Sequence, residues 1–150
     1  MQVTIAVPLK ATIVHSLLFP ISVSAKGVSW SKVQLGDFAN KRGVYVHYSN
    51  GEIIYVGKAT KGAYGTFGER LRRQFQYTAA GKVKRLHDFL ASQRRPIHTY
   101  FFEFQDVDAM VNAGSMTLSI ERKALILEQV LIGIFNPKGN AVEENTEQDG

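Results

Sequence analysis

Residues 43–58 read GVYVHYSNGEIIYVGK, and this stretch predicts a β-hairpin. Asn50-Gly51 lies at its centre between alternating apolar residues, which is the strongest short-range signal for an antiparallel turn. The stretch also carries three tyrosines, His47 and Lys58, none of which a hairpin requires in order to fold. The placement of these side chains therefore bears on function as well as on fold.

The pairing register decides which face of the hairpin each side chain occupies, because a one-residue slip exchanges the two faces. A two-residue loop at Asn50-Gly51 would pair Tyr45 with Val56 and place Val44 and Val46 on the opposite face from Ile54 and Val56. We therefore predict a three-residue loop, 49–51, which pairs Tyr45 with Tyr55. It places Val44, Val46, Ile54 and Val56 on one face and Tyr45, His47, Ile53, Tyr55 and Gly57 on the other. A tyrosine pair alone is typical of cross-strand packing.

Further elements are indicated on both sides of the hairpin. Residues 1–42 contain short apolar runs broken by proline and glycine, and predict one or two strands and a short helix near 31–38. Thr66-Phe67-Gly68-Glu69 has the spacing of a capping box, which predicts a helix from Thr66 to about Tyr77. Helices over 82–93 and 118–135 and a strand over 97–104 follow, the last helix ending before Pro137. This order predicts an α/β (α+β) fold, a small mixed or antiparallel sheet of about three core strands flanked by helices, with extra N-terminal elements.

We divide the chain into an N-terminal extension packed on the domain (1–42), the domain itself (43–142) and an acidic, disordered tail (143–150). The absence of cysteine excludes disulfides and thiolate zinc sites. No apolar run reaches the length of a membrane span, and no membrane partner is expected. Residues 11–25 resemble the core of a signal peptide, but His15 and Pro20 interrupt them, so a cytoplasmic location is expected.

Basic residues cluster in the middle of the chain. Ten Lys or Arg lie between positions 58 and 95 against two carboxylates, Glu69 and Asp88, and the whole chain has a formal net charge of +5. Such a cluster is typical of polyanion binding, with a solvated helix face as the alternative. We expect DNA as the partner, contacted by Lys61, Arg72, Arg73, Lys82, Lys84, Arg85, Arg94 and Arg95.

The helix predicted over 118–135 carries a carboxylate at an unexpected position. On a helical wheel, Glu128 lies between apolar residues on both sides: Leu125 and Ile132 on one, Ala124, Leu131 and Phe135 on the other. Glu128 is therefore predicted inside the stripe that faces the core. A buried carboxylate is costly unless it is protonated, paired with a cation or bound to a metal ion. The alternatives are a Glu that reaches solvent at the end of the stripe, or a structural pair with arginine.

The capped helix offers the cation. Arg70, Arg73, Gln74 and Tyr77 share one stripe of that helix, and Phe67, Leu71 and Phe75 form its apolar stripe. Two arginines on one stripe are usually a solvated face. Beside a phosphate, however, a fixed guanidinium stabilises negative charge.

Segments in order along the chain resemble the GIY-YIG nuclease superfamily. They are Gly43-Val44-Tyr45, then IIYVGKA (53–59) with Tyr55-Val56-Gly57, ERLRRQF (69–75) and LEQVLIGIFNPKGN (127–140). These segments are similar to the nuclease half of the bacterial excision-repair incision subunit. The resemblance covers roughly 43–140, with an insertion in 61–67, and identifies 43–142 as a GIY-YIG-like domain.

The resemblance implies hydrolysis of a DNA phosphodiester bond with one Mg²⁺ or Mn²⁺ ion per active site. By motif position, the catalytic set is Tyr45, Tyr55, Lys58, Arg70, Glu128 and Asn140, with Glu128 as the metal ligand. Tyr45, its pKa lowered by Lys58, would take a proton from water. An ordinary tyrosine pKa of about 10 makes a poor base, so a hydroxide generated at the metal ion is the alternative.

The remaining roles follow from the same resemblance. Tyr55 would orient water or phosphate, Arg70 would steady the developing charge, and Asn140 would fix the phosphate or the local loop.

The chain departs from the family pattern one turn after the arginine. Some members carry a histidine or tyrosine there as an extra base or phosphate ligand, whereas this chain has Gln74, which cannot exchange protons. His47 shares the Tyr45 face, and a surface hairpin histidine is the favoured interpretation, with compensation for the missing base as the alternative. Arg73 is a further auxiliary candidate.

We therefore predict a metal-dependent DNA endonuclease acting in restriction, repair or DNA degradation. A non-catalytic DNA-binding module that retains the fold is the alternative, and such a module does not need a carboxylate at position 128. An unrelated small-molecule enzyme with a coincidental motif is a third. A homodimer would supply the two active sites that are needed to cut both strands of a duplex.

Overall fold

The computed structural model describes residues 4–5, 15–16, 23–24, 27–28, 32–75, 81–95 and 97–144. The strands are β1 (Thr4–Ile5), β2 (His15–Ser16), β3 (Val23–Ser24), β4 (Gly27–Val28), β5 (Gly43–Ser49), β6 (Glu52–Ala59), β7 (His98–Glu103) and β8 (Val111–Asn112). The α-helices are α1 (Phe67–Phe75), α2 (Gly81–Ala91), α3 (Phe104–Met110), α4 (Ile120–Phe135) and α5 (Lys138–Glu144). A 3₁₀ segment spans Lys32–Asn40.

The central sheet has the strand order β2-β7-β5-β6, and every pair in it is antiparallel. Two smaller antiparallel pairs join β1 to β8 and β3 to β4. The predicted class, a small α+β sheet flanked by helices, is confirmed. Strand β6 forms one edge of the sheet, and this edge positions the site described below.

The predicted hairpin register is wrong. The loop has two residues, because Ser49 pairs with Glu52 and Tyr48 with Ile53. Asn50 and Gly51 both have positive φ, 51° and 82°, as the tight hairpin turn favoured by Asn-Gly requires. Together with a bulge farther along the strands, this loop places Tyr45 opposite Gly57 and not opposite Tyr55.

A bulge restores the apolar face that the two-residue loop would have split. The register shifts between His47 and Tyr48, which leaves Ile54 as an extra residue on β6. Beyond it, Val46 pairs with Val56. The predicted valine face and tyrosine face are therefore both retained, but Ile53 and Ile54 exchange sides, with Ile54 packed among the tyrosine-face residues.

Each face of the sheet covers a separate core. The tyrosine face packs against the 3₁₀ segment, α1 and α2, in a cluster that includes Leu35, Tyr45, Tyr55, Phe67, Leu71, Phe75, Leu86, Leu90 and Phe101. The valine face packs against α3 and α4, in a cluster that includes Val44, Val46, Val56, Phe102, Val107, Ala124, Leu127 and Leu131. Helix α5 packs on α2 and β6. The sheet is thus a middle layer with helices on both sides.

The predicted helices lie close to their expected positions. The backbone N–H of Glu69 donates to the hydroxyl of Thr66 (3.3 Å), so Thr66 caps α1 as expected. Ser119 caps α4 through the N–H of Arg122 (3.2 Å), and Asn136 ends that helix with φ of 44°. The short helix expected near 31–38 is the 3₁₀ segment. The predicted extension of α1 to Tyr77 lies outside the described residues.

The boundary at residue 143 is wrong. Helix α5 includes Glu143 and Glu144, which we assigned to a disordered tail on charge alone. The guanidinium of Arg85 donates to the carbonyls of Val142 (3.3 Å) and Glu143 (3.0 Å), and these bonds fix the end of the helix. Residues 145–150 lie outside the described part of the chain.

Candidate functional site

A cavity of about 240 Å³ opens beside the edge strand β6. Helices α1, α2, α4 and α5 and strands β5 and β6 all contribute to it. Its lining comprises Tyr45, Tyr55, Lys58, Arg70, Arg73, Gln74, Leu86, Glu128 and Glu143. Because α1 packs on the tyrosine face and α4 on the valine face, the cavity reaches around the edge of the sheet.

The two tyrosines come together diagonally across the hairpin. Their ring centroids lie 6.1 Å apart, with Tyr45 only 1% exposed. Gly57, the pairing partner of Tyr45, makes room for the phenol: a Cβ at this position would lie 2.5 Å from the Tyr45 hydroxyl and 2.9 Å from the Tyr55 ring. Position 57 therefore requires glycine, because the Tyr45 ring lies too close to leave room for a side chain.

The expected lowering of the pKa of Tyr45 by Lys58 is wrong. Burial raises the pKa of the Tyr45 phenol well above its ordinary value, while a hydrogen bond from Gln74 and the charge of Arg70 lower it by less. Burial also raises the pKa of Tyr55. Both tyrosines are consequently neutral phenols near neutral pH, suited to donating hydrogen bonds and poorly suited to accepting a proton as tyrosinate.

Helix α1 directs two arginines into the cavity, as its polar stripe predicted. Arg70 and Arg73 both line the cavity. The Nε atom of Arg70 is buried and has no hydrogen-bond partner within the described residues. A buried guanidinium nitrogen without an acceptor is costly, and an anionic group in the cavity would supply one.

Glu128 lies at the edge of the buried stripe of α4 and not inside it. The buried residues of this helix are Ala124, Leu127 and Leu131, whereas Leu125 is 43% exposed. Glu128 is half-buried and faces the cavity. Burial raises the pKa of its carboxyl, the Gln129 amide and Lys58 lower it, and the charge of Glu143 raises it. The Glu128 carboxylate is partly desolvated, as we predicted, but it lies at the wall of the cavity and not in the core.

Glu143 is a cavity residue that the sequence reasoning missed. Both of its carboxylate oxygens lie 3.1 Å from the hydroxyl of Tyr55, which donates to them. Its charge also raises the pKa values of Tyr45 and Glu128. The sequence offered a weak signal, since Glu143 falls one helical turn after Asn140, but that spacing has meaning only once α5 is known to be a helix.

The carboxylates of Glu128 and Glu143 are the candidate ligands for a divalent cation. Carboxylate oxygens are the donors that Mg²⁺ and Mn²⁺ prefer, and Mg²⁺ commonly uses one or two of them while keeping several waters. A cation would also relieve the mutual repulsion of the two charges. Among the described residues, no group of three or more His, Cys, Asp or Glu could hold a metal ion. The pair fits the sparse oxygen ligation of Mg²⁺.

Asn140 has a structural contact of its own. Its amide accepts from the backbone N–H of Val56 (2.9 Å) and donates to the Val56 carbonyl (2.8 Å). These two bonds satisfy the backbone groups of Val56 at the edge of the sheet and fix α5 to β6. We expected Asn140 to fix either the phosphate or the local loop. These contacts support the second role and give no support to the first.

His47 is fully buried and not a surface residue. Its Nε2 atom lies 2.8 Å from Oε1 of Gln74, and its Nδ1 atom lies 2.8 Å from the hydroxyl of Thr99. Burial lowers its pKa to about 4, so the ring is neutral near neutral pH. Gln74 lies between His47 and Tyr45, to which its amide nitrogen donates. His47 therefore reaches the cavity residues through its hydrogen bond to Gln74 and through ring contacts with Tyr45 and Tyr55, whose centroids lie 5.4 Å and 5.7 Å from its own.

The basic residues expected to bind DNA separate into two groups. Some are engaged within the fold: Arg72 pairs with Glu69, Lys84 with Asp88, and Arg85 with α5. Arg85, expected at a DNA surface, instead holds that helix. Others remain accessible: Arg73 in the cavity, Lys61 beside it, and Arg94 and Arg95 after α2. The Lys82 side chain lies outside the described part.

A second cavity of about 610 Å³ adjoins the first. Lys58 lines both cavities and therefore connects them. The second is lined by Lys58, Thr60, Lys61, Ser119, Glu121, Arg122 and Leu125. Three of these side chains are cationic and one is acidic, so the excess charge suits an extended polyanion that passes from one cavity to the other.

Comparison with known proteins adds no assignment: no protein-family model matches the chain, and no curated protein matches it. In the described residues, none of the helices is both long and apolar enough to cross a membrane.

Proposed function

We propose that this chain is a metal-dependent DNA endonuclease of the GIY-YIG type, which hydrolyses phosphodiester bonds. The observation that carries the proposal is the lining of one small cavity. Five residues from four separate segments, chosen from the sequence by motif, meet there: Tyr45, Tyr55, Lys58, Arg70 and Glu128. Phenols and carboxylates are candidate proton-transfer or metal-binding groups, and cations beside them are candidate stabilisers of a phosphate's charge.

The cations would bind the scissile phosphate. The buried Nε of Arg70 has no partner among the described residues and would donate to a phosphate oxygen. As charge develops on the phosphorus oxygens, a preorganised guanidinium stabilises it more in this site than in bulk water. Lys58, which lines both cavities, would contact the same phosphate or its neighbour along the strand.

The phenols would act as hydrogen-bond donors. Tyr45 is neutral near neutral pH, because burial raises its pKa, and it therefore donates to the phosphate or to a water molecule. Tyr55 donates to Glu143, so its oxygen is left to accept from the attacking water. In that arrangement Tyr55 would orient the water for attack on the phosphate, and neither phenol would become tyrosinate.

The carboxylates of Glu128 and Glu143 would hold one Mg²⁺ or Mn²⁺ ion. Such an ion would polarise the phosphate and neutralise charge on the leaving oxygen. Burial raises the pKa of the Glu128 carboxyl, and a bound cation would stabilise its charged form in place of the lost water.

The test is nicking of supercoiled plasmid with Mg²⁺ and with EDTA, comparing the wild type with Glu128→Ala and Tyr45→Phe. We expect metal-dependent nicking by the wild type and loss of about a hundredfold or more in each variant. DNA binding without cleavage under any divalent metal would favour the non-catalytic binding module. Mapping cuts on random-sequence and branched DNA would separate restriction from repair.

The location in the cell, the pathway and a homodimeric state remain the predictions stated from the sequence. Chromatography with light scattering, in the presence and absence of DNA, measures the oligomeric state directly.

A further inference from the structure

We propose that the buried pair His47 and Thr99 positions the phenol of Tyr45 for reaction. The pair acts through the amide of Gln74, whose oxygen lies against His47 and whose nitrogen donates to Tyr45, the orientation that directs the phenolic proton into the cavity. The inference rests on the proposed function, because this direction matters for catalysis only where a phosphate or water accepts the proton.

A chain of hydrogen bonds runs from Thr99 to Tyr45 through the protein interior. The Thr99 hydroxyl lies 2.8 Å from Nδ1 of His47, and Nε2 of His47 lies 2.8 Å from Oε1 of Gln74. The amide nitrogen of Gln74 then donates to the Tyr45 hydroxyl. All four side chains are buried, so solvent does not compete for these bonds.

The orientation of the Gln74 amide determines which nitrogen of His47 carries the proton. Because Oε1 of Gln74 can only accept, Nε2 of His47 must donate to it. A neutral imidazole has a single N–H, so Nδ1 must accept from the Thr99 hydroxyl. Burial keeps the ring neutral. The chain of donors therefore runs in one direction, from Thr99 to His47 to Gln74.

The same orientation determines where the proton of Tyr45 points. Since the phenol oxygen already receives the N–H of Gln74, its own proton is directed to the cavity. With the amide reversed, Oε1 would face Tyr45, and the phenol would donate its only proton to Gln74 and away from the substrate. A glutamine here thus orients Tyr45 without exchanging a proton.

The first experiment determines the tautomer. Nitrogen-15 NMR of the full chain near neutral pH should show His47 protonated on Nε2 and unprotonated on Nδ1. Protonation on Nδ1 would mean that the amide is reversed, and it would overturn the inference. The measurement requires no nuclease activity, so it is decisive even if the proposed function fails.

The second experiment measures catalysis in variants that keep the shape of the interior. Thr99→Val removes the hydroxyl, and Gln74→Glu introduces a carboxylate that accepts from both neighbours and turns the Tyr45 proton inward. We expect kcat for nicking to fall about tenfold in each, with KM for DNA unchanged, because a phenol directed away from the substrate loses a transition-state contact.

Rescue separates positioning from loss of folding. Thr99→Ser keeps the hydroxyl and should restore both kcat and the Nε2 tautomer, and urea unfolding reports the stability of each variant. An unchanged kcat in Thr99→Val and Gln74→Glu would overturn the positioning role. A Thr99→Ser variant that has the wild-type tautomer and stability, but a kcat as low as that of Thr99→Val, would overturn it as well.

Discussion

The hydroxyl of Tyr55 donates to the carboxylate of Glu143, 3.1 Å from each oxygen, although 88 residues separate the two in sequence. This contact brings a second carboxylate into a cavity where Glu128 already lies. It also gives the short helix α5 a place in the site, since Asn140 and Arg85 fix that helix against β6 and α2.

Glu143→Gln should weaken the binding of the metal ion that we assign to Glu128 and Glu143. Because one of two carboxylates loses its charge, we expect the Mg²⁺ concentration for half-maximal nicking to rise about tenfold. Glu144→Gln is the matched control, since the neighbouring Glu144 is exposed. Equal metal dependence in both variants would show that Glu143 is not a ligand.

Gly57→Ala should destabilise the protein and disturb the tyrosines. The added Cβ would lie 2.5 Å from the Tyr45 hydroxyl, so the ring or the strand must move, at a cost of about 1–3 kcal/mol in the free energy of unfolding. Gly133→Ala on α4 is the control, because nothing lies within 4 Å of its Cβ. Replacing a helical glycine there should stabilise by roughly 0.5–1 kcal/mol. Urea unfolding measures both, and a stable Gly57→Ala variant with full nicking activity would contradict the packing.

Asn140→Ala should loosen α5 from the edge strand. The change removes two hydrogen bonds to the backbone of Val56 and should lower the free energy of unfolding by about 1–3 kcal/mol. Because Glu143 lies on the same short helix, the metal dependence of nicking should change in the same direction as in Glu143→Gln. Lys138→Ala, at an exposed position at the start of α5, serves as the control. Full stability of Asn140→Ala would show that the two bonds are dispensable.

His47 should make stability depend on pH. Burial lowers its pKa to about 4 from 6.5, so between these values the unfolded chain binds more protons than the folded chain. This contribution to stability is present above the unfolded pKa and is lost as the pH falls toward the folded pKa, by at most roughly 3 kcal/mol. Urea unfolding of the wild type should therefore show a steeper loss on acidification than unfolding of His47→Phe. Parallel pH profiles would exclude this origin.

The second cavity should contribute charge to DNA binding. Arg122→Gln and Lys61→Gln should each weaken binding uniformly across sequences and reduce the slope of log affinity against log salt by roughly one. Lys84→Gln is the control, because Lys84 already pairs with Asp88. Titrations at several salt concentrations measure the slopes. If Lys84→Gln reduces the slope more than the other two variants do, the DNA lies over α2 and not over the second cavity.

Local patterns in the sequence determined much of the fold. The capping box at Thr66, the stop before Pro137 and the Asn50-Gly51 turn each depend on neighbours in the chain, and each lies close to its predicted place. The sorting of valines and tyrosines to opposite faces also follows from alternation alone.

Two local predictions failed for reasons that a local pattern does not contain. The bulge at Ile54 allows the two-residue turn while Val44, Val46 and Val56 stay on one face of the sheet. It depends on the packing of both faces at once. The wheel placed Glu128 in the core because it treats every apolar side chain as buried, whereas Leu125 faces the second cavity.

The sequence by itself thus determined the elements and the face on which the tyrosines lie, because short-range periodicity and spacing encode them. Most of the cavity residues were predicted from the motif resemblance. Only the tertiary structure decided what those residues contact. It buried His47 behind Gln74 and brought Glu143 to Tyr55, since hydrogen bonds between segments far apart in the chain form only when the layers pack. The protonation of the tyrosines followed as well, because desolvation depends on what surrounds a phenol and not on its neighbours in sequence.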